Sequence, residues 1–138
     1  MPKYLDLQQA QFVGDYTETI DIEIRTNTDW FAFPTVSEEL KKADIIGVAL
    51  LCGDGVARSI VTNQLLLTPS QMSGCILQID AKNRKKTNIP LRLFNMDGKP
   101  QIYLPISIQS INAQQSKIIF PSNSTVSGIV QLVFFTAQ

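Results

Sequence analysis

TIDIEIR, residues 19–25, alternates apolar and charged side chains. Ile20, Ile22 and Ile24 would face one side of an extended chain, whereas Asp21, Glu23 and Arg25 would face the other. A period of two is the pattern of a β-strand that is buried on one face. The same alternation returns in CILQIDA, residues 75–81. We therefore predict half-buried strands at both places.

Turn signals separate short apolar runs along the rest of the chain, which is typical of an all-β sandwich or barrel. One run, IVQLVFFT at 129–136, is apolar on both faces and predicts a central strand. Thr35 and Glu38 have the spacing of a capping box, so a short helix is predicted near 35–44. The predicted fold class is all-β: a single antiparallel β-sandwich domain over residues 1–138, expected to be a jelly roll, with that one helix.

Two hairpins are also predicted. IIGVALLC (45–52) and VARSIVT (56–62) flank a Gly-Asp-Gly turn and would form a central pair. TNIPLRLFNMDGKPQIYLPISI (87–108) would turn at Asp97-Gly98, a strong hairpin signal. That register places Pro90 opposite Pro105 and Arg92 opposite Tyr103. The facing prolines would interrupt the ladder, whichever loop length applies, and proline also protects strand edges.

Charge is sparse and unevenly distributed along the 138 residues. Charged residues make up 17% of the chain, against roughly 25% in an average protein. Residues 1–54 carry ten acids and four bases, and residues 55–138 carry two acids and eight bases, so the net charges are −6 and +6. The fold can cancel these charges internally, or copies of the chain can use them as complementary patches.

The sequence lacks the residues that several common kinds of active site and metal site require. The chain has no histidine, which removes a Ser-His-Asp or Cys-His arrangement and the commonest metal ligand. Cys52 and Cys75 lie 23 residues apart without a second pair, so no zinc framework is indicated. No phosphate-binding glycine motif occurs. We therefore predict a non-enzymatic protein with no catalytic residues, cofactor, metal or small-molecule substrate.

Two clusters are candidates for binding. Lys82, Arg84, Lys85 and Lys86 form a basic patch in a predicted loop that could contact phosphates or an acidic subunit. Aromatic residues do not interleave with it, so nucleic acid is the less favoured partner. Trp30 and Phe31 could line a ligand platform, and their adjacency in a strand would expose only one of them.

The segments IPLRLFNMDGKPQIYLPISI (89–108), KIIFPSNSTVSGIVQLVFF (117–135) and TIDIEIR (19–25) carry a resemblance. With its short strands the chain resembles small single jelly-roll virion proteins, the penton (vertex) or minor capsid proteins of tailless bacterial viruses. The resemblance implies self-association around a symmetry axis and no active site. No local motif of that family assigns a role to an individual residue.

The expected function is therefore that of a structural subunit of a symmetric viral assembly, with copies of itself and other capsid subunits as partners. The expected interface comprises Asp97, Gly98, Lys99, Arg92 and Tyr103. We expect virion localisation after assembly in the host cytoplasm, without a signal peptide or membrane insertion. The alternative is a glycan- or receptor-binding β-sandwich that uses Trp30 and Phe31.

Overall fold

Two four-stranded antiparallel sheets face each other across a shared hydrophobic core. The structure is a computed structural model and describes residues 16–59, 62–82, 84–94 and 104–137. The strands are β1 (Tyr16–Ile24), β2 (Trp30–Ala32), β3 (Asp44–Leu51), β4 (Ile76–Ala81), β5 (Arg84–Pro90), β6 (Leu104–Gln109), β7 (Lys117–Ile119) and β8 (Gly128–Ala137). Helix α1 (Glu38–Lys42) joins β2 to β3, and short 3-10 turns lie at Pro69–Met72, Leu91–Leu93 and Ala113–Gln115.

The strand order has a simple rule. The first sheet has the order β1-β8-β3-β6 and the second has the order β2-β7-β4-β5. β1 pairs with β8, β2 with β7, β3 with β6 and β4 with β5, so the partners' numbers sum to nine. The contacts of β3 with β8 and of β4 with β7 then complete the sheets. This is the pairing of one long hairpin rolled into two layers, and it confirms the predicted all-β sandwich with one short helix.

The core forms where the inward rows of both sheets meet. Ile20, Ile22 and Ile24 are buried on β1, and Leu77 and Ile79 are buried on β4, as the alternation predicts. Aromatic rings fill the space between these rows: Phe31 packs edge-on against Phe120 at 5.5 Å, and Phe33 lies 6.1 Å from Phe134. β8 lies between β1 and β3, and Phe134 and Phe135 are buried on its two faces, which confirms the predicted central strand.

The predicted hairpin over 87–108 is wrong. Pro90 on β5 pairs with Ile76, whereas Pro105 on β6 pairs with Gly47 of the other sheet. The chain leaves the second sheet at the 3-10 turn Leu91–Leu93, where the Leu91 N–H donates to the Cys75 carbonyl at 3.0 Å. Both strands point apolar residues at the same core, so their alternation is the same whether they are neighbours or lie in opposite sheets.

The central hairpin predicted for 45–62 is also wrong. β3 has β8 and β6 as its neighbours. In the described part of the predicted second strand, residues 56–59 and 62, the pairing is a single isolated bridge between Arg58 and Leu65, and Val56 is 77% exposed. An apolar run beside a glycine turn thus predicted the first strand correctly and its partner incorrectly.

Helix α1 is shorter than predicted, and its N-cap is Ser37 instead of Thr35. The Leu40 N–H donates to Ser37 Oγ at 3.1 Å. The Ser37 hydroxyl donates in turn to the Glu18 carboxylate on β1, and the Ser37 N–H donates to the same carboxylate at 3.1 Å. Glu18 therefore fixes the start of the helix on the edge of the first sheet.

Candidate functional site

The sandwich has two ends of different character. At the first end, which we call the Trp30 end, hydrogen bonds tie the β1–β2 connection to the β7–β8 connection, and the turn Leu91–Leu93 to Cys75. The opposite end, the helix end, contains α1 and the β4–β5 turn, which meet through Ser110. Among the described residues, the large apolar side chains that are exposed all lie at the Trp30 end: Trp30, Val56, Leu65 and Leu93.

A groove lies at the Trp30 end where the edge strands β1 and β2 meet. It has a volume of about 660 Å³, and its lining comprises Asp21, Glu23, Arg25, Thr26, Thr28, Trp30, Phe31, Ala32 and Pro34. Trp30 is 52% exposed, whereas Phe31 is buried, which confirms that only one of the two faces solvent. The Lys117 ammonium lies 5.3 Å from the centre of the Trp30 ring and makes a cation–π contact with it. The groove thus combines a flat apolar wall with carboxylate oxygens.

One of these carboxylates has a structural role that the sequence does not reveal. Asp21 Oδ1 accepts from Gln131 Nε2 at 2.8 Å, and Oδ2 accepts from the Ser59 hydroxyl. Gln131 also donates to Ser59 Oγ at 3.2 Å, and both residues are buried. The cluster attaches the long β3–β4 connection to the outer face of the first sheet. Asp21 is therefore not the freely solvated residue that alternation alone suggests.

The basic patch lies in and beside an edge strand, which corrects its prediction as a loop. Lys82 is in the β4–β5 turn, and Arg84, Lys85 and Lys86 are the first residues of β5. The strand starts there because Arg84 pairs directly with Ala81. Lys82 and Lys86 are exposed. Arg92 is exposed as well, in the turn that follows β5.

Acidic and basic residues occupy opposite edges of the sandwich. Asp21 and Glu23 on β1, and Asp29 in the β1–β2 connection, form what we call the acidic edge, where β1 packs beside β2. β5 forms the basic edge and lies three strands from β2 in the second sheet. With strands about 4.8 Å apart, this distance is about 14 Å. Arg25 and Lys117 also lie at the acidic edge, so acids outnumber bases there by three to two, whereas the charged residues of β5 are all bases.

The other residues singled out in the sequence add no further site to the described structure. Asp97, Gly98, Lys99 and Tyr103 lie outside the described residues. Cys52 and Cys75 are free thiols, and burial raises the pKa of both, that of Cys75 to about 11. Within the described ranges, no group of three or more His, Cys, Asp or Glu side chains is placed to hold a metal ion.

The part of the chain that the structure describes contains no helix long and apolar enough to cross a bilayer. Comparison with known proteins finds no matching family model, no matching curated protein and no matching solved structure.

Proposed function

We propose that this chain is a jelly-roll structural subunit of a symmetric viral assembly, a capsid vertex (penton) or minor capsid protein that acts by self-association without catalysis. The strand order supports the jelly-roll assignment, since eight strands in two sheets follow the pairing of one rolled hairpin. Jelly rolls of this size occur in viral capsid and lectin domains. Fold alone does not assign function, so the proposal also needs support from the surface.

The observation that carries the proposal is the separation of charge between the two edges. Asp21, Glu23 and Asp29 lie along one edge of the sandwich, and the bases of β5 lie along the other. Two copies placed side by side in the same orientation bring an acidic edge against a basic edge. Such a contact joins two different patches, and repetition by a rotation that closes produces a ring.

The helix end adds a second complementary pair to this contact. Glu38 and Glu39 begin α1, which the bond between Ser37 and Glu18 holds at the acidic edge. Lys86 lies at the corresponding end of β5, near the β4–β5 turn. Contacts between exposed charges contribute little individually, but they steer association and weaken as salt screens them.

The first test is the mass of the protein in solution as a function of salt. We expect sedimentation velocity to show a closed oligomer at low salt and smaller species at high salt. Lys86→Glu should weaken this assembly. Lys42→Glu makes the same change of charge on α1, on the acidic side of the contact, and should not weaken the assembly. A monomer at every salt concentration and at the highest attainable protein concentration would refute the proposal.

Glycan or receptor binding is the second candidate, and the groove is the observation that favours it. A half-exposed indole beside carboxylates offers a sugar ring an apolar face and hydrogen-bond acceptors. A glycan array would test this candidate directly. Specific binding that disappears in Trp30→Ala, with a native circular dichroism spectrum, would favour glycan recognition over assembly as the use of this surface.

A further inference from the structure

The groove and an exposed turn lie at the same level on opposite edges of the sandwich. In the second sheet, Trp30 pairs with Ile119, Ile119 with Ile76, and Ile76 with Pro90, so these four residues form one row across the sheet. Trp30 begins this row at the acidic edge. Pro90 ends it at the basic edge, and the turn Leu91–Leu93 follows directly. A rotation about an axis parallel to the strands would therefore bring the turn of one copy to the groove of the next.

The turn offers the groove one apolar and one cationic side chain, beside the Arg25 and Lys117 cations that the groove already holds. Leu93 is 62% exposed, a large apolar side chain without cover, and Arg92 beside it is exposed and cationic. Across the contact, the Trp30 side chain is 52% exposed, with the Lys117 ammonium 5.3 Å from its ring centre. The Glu23 carboxylate is 58% exposed, although it pairs with Arg25 at 3.5 Å. Leucine against indole and guanidinium against carboxylate are matched pairs, and a central apolar anchor with a charged rim is the usual anatomy of an interface.

We infer that the Arg92–Leu93 turn of one copy docks in the Trp30 groove of the neighbouring copy, with Leu93 against Trp30 and Arg92 against Glu23. The inference rests on the proposed function, because it names the contact that closes the ring. A second copy is favoured over a saccharide as the occupant, since the complementary turn is on this same chain and at the matching level. The apolar row Trp30–Ile119–Ile76–Pro90 runs across the second sheet between the groove and the turn, so the sheet fixes their positions relative to each other.

Charge exchange tests this contact. Glu23→Arg and Arg92→Glu, made separately, each place like charges together and should weaken assembly at low salt about tenfold or more. The double variant restores opposite charges in the reverse order and should recover most of the assembly. Both positions are exposed, and thermal unfolding of each variant checks that the fold is unchanged. Asp44→Arg, at an exposed site on the inner strand β3, is the control for a charge reversal outside the proposed contacts.

Leu93→Ser tests the apolar half, and Val56→Ser is its matched control because Val56 is exposed at the same end. We expect only the first to weaken assembly. If the wild type forms salt-sensitive oligomers that none of the groove or turn variants affects, the docking inference is wrong although the proposed function survives. If the wild type never assembles, both fail. Saccharide binding in the groove of an intact oligomer would also overturn the inference, because the neighbouring turn could not occupy it.

Discussion

Replacing Asp21 with alanine should lower the free energy of unfolding by about 2–3 kcal/mol, although alternation places this residue on an outward row. Its carboxylate accepts from two buried donors, Gln131 at 2.8 Å and the Ser59 hydroxyl. A hydrogen bond to a charged group contributes about 1.5–3 kcal/mol. Gln131 and Ser59 keep a 3.2 Å bond to each other, and water can enter beside the half-buried Asp21. Two such bonds would contribute about 3–6 kcal/mol, and these compensations reduce the expected loss to about 2–3 kcal/mol.

Glu23→Ala is the matched control. It lies two residues further along the same face of β1 and removes the same charge. Its ion pair with Arg25, at 3.5 Å, joins side chains that are 58% and 77% exposed. Such exposed pairs contribute about 0–1 kcal/mol, so we expect a change within about 0.5 kcal/mol.

Urea denaturation followed by far-UV circular dichroism measures both changes. For an m-value of about 1.5 kcal/mol/M, a loss of 2–3 kcal/mol lowers the midpoint by roughly 1.3–2 M. The m-values of the two variants should agree with that of the wild type. Equal midpoints for Asp21→Ala and Glu23→Ala would refute the reasoning, because they would mean that the buried donors find equivalent partners without the carboxylate.

Three further predictions follow from individual contacts. Ser37→Ala removes the N-cap of α1 and should lower the free energy of unfolding by about 1–2 kcal/mol, measured by urea denaturation. Thr35→Ala should leave it unchanged. The reverse result would show that Thr35 is the N-cap. Burial raises the pKa of Cys75 from 9.0 to about 11, so the unfolded thiol ionises first and stability should fall from pH 9 to pH 11. Urea midpoints across that range should show this contribution in the wild type and not in Cys75→Ala. Gly53→Ala places its Cβ in a steric clash with the Leu66 carbonyl oxygen and should cost about 1–3 kcal/mol. An unchanged melting temperature would contradict the clash.

The sequence predicted individual strands better than their partners. Alternation at 19–25 and 75–81 depends on burial of one face, which the sandwich does impose. Pairing is a different property. In a two-layer sandwich all inward rows share one core, so a strand's pattern does not indicate which sheet it joins. That is why β5 and β6 were expected to be partners, although the chain crosses between sheets after Pro90.

The sequence predicted features of the candidate site only where the residues involved are neighbours along the chain. Trp30 and Phe31 are neighbours in a strand, so their opposite exposure followed directly from the pleat. The bond from Ser59 to Asp21 spans 38 residues, and the bond from Gln131 spans 110. Neither separation leaves a pattern in the sequence, and the same is true of the level shared by the groove and the Arg92–Leu93 turn.

The two prolines restrict how a neighbouring copy can make contact. Pro90 lies on β5 and Pro105 on β6, the edge strands opposite the acidic edge. Proline offers no N–H to an incoming strand, so this side disfavours strand addition and leaves contact to side chains. Replacing both with valine should therefore convert salt-sensitive oligomers into irregular aggregates that persist in high salt, measured by light scattering. Pro121→Val, at an exposed bend outside the strands, is the control. Unchanged salt sensitivity in the double variant would show that something other than proline prevents strand addition at this edge.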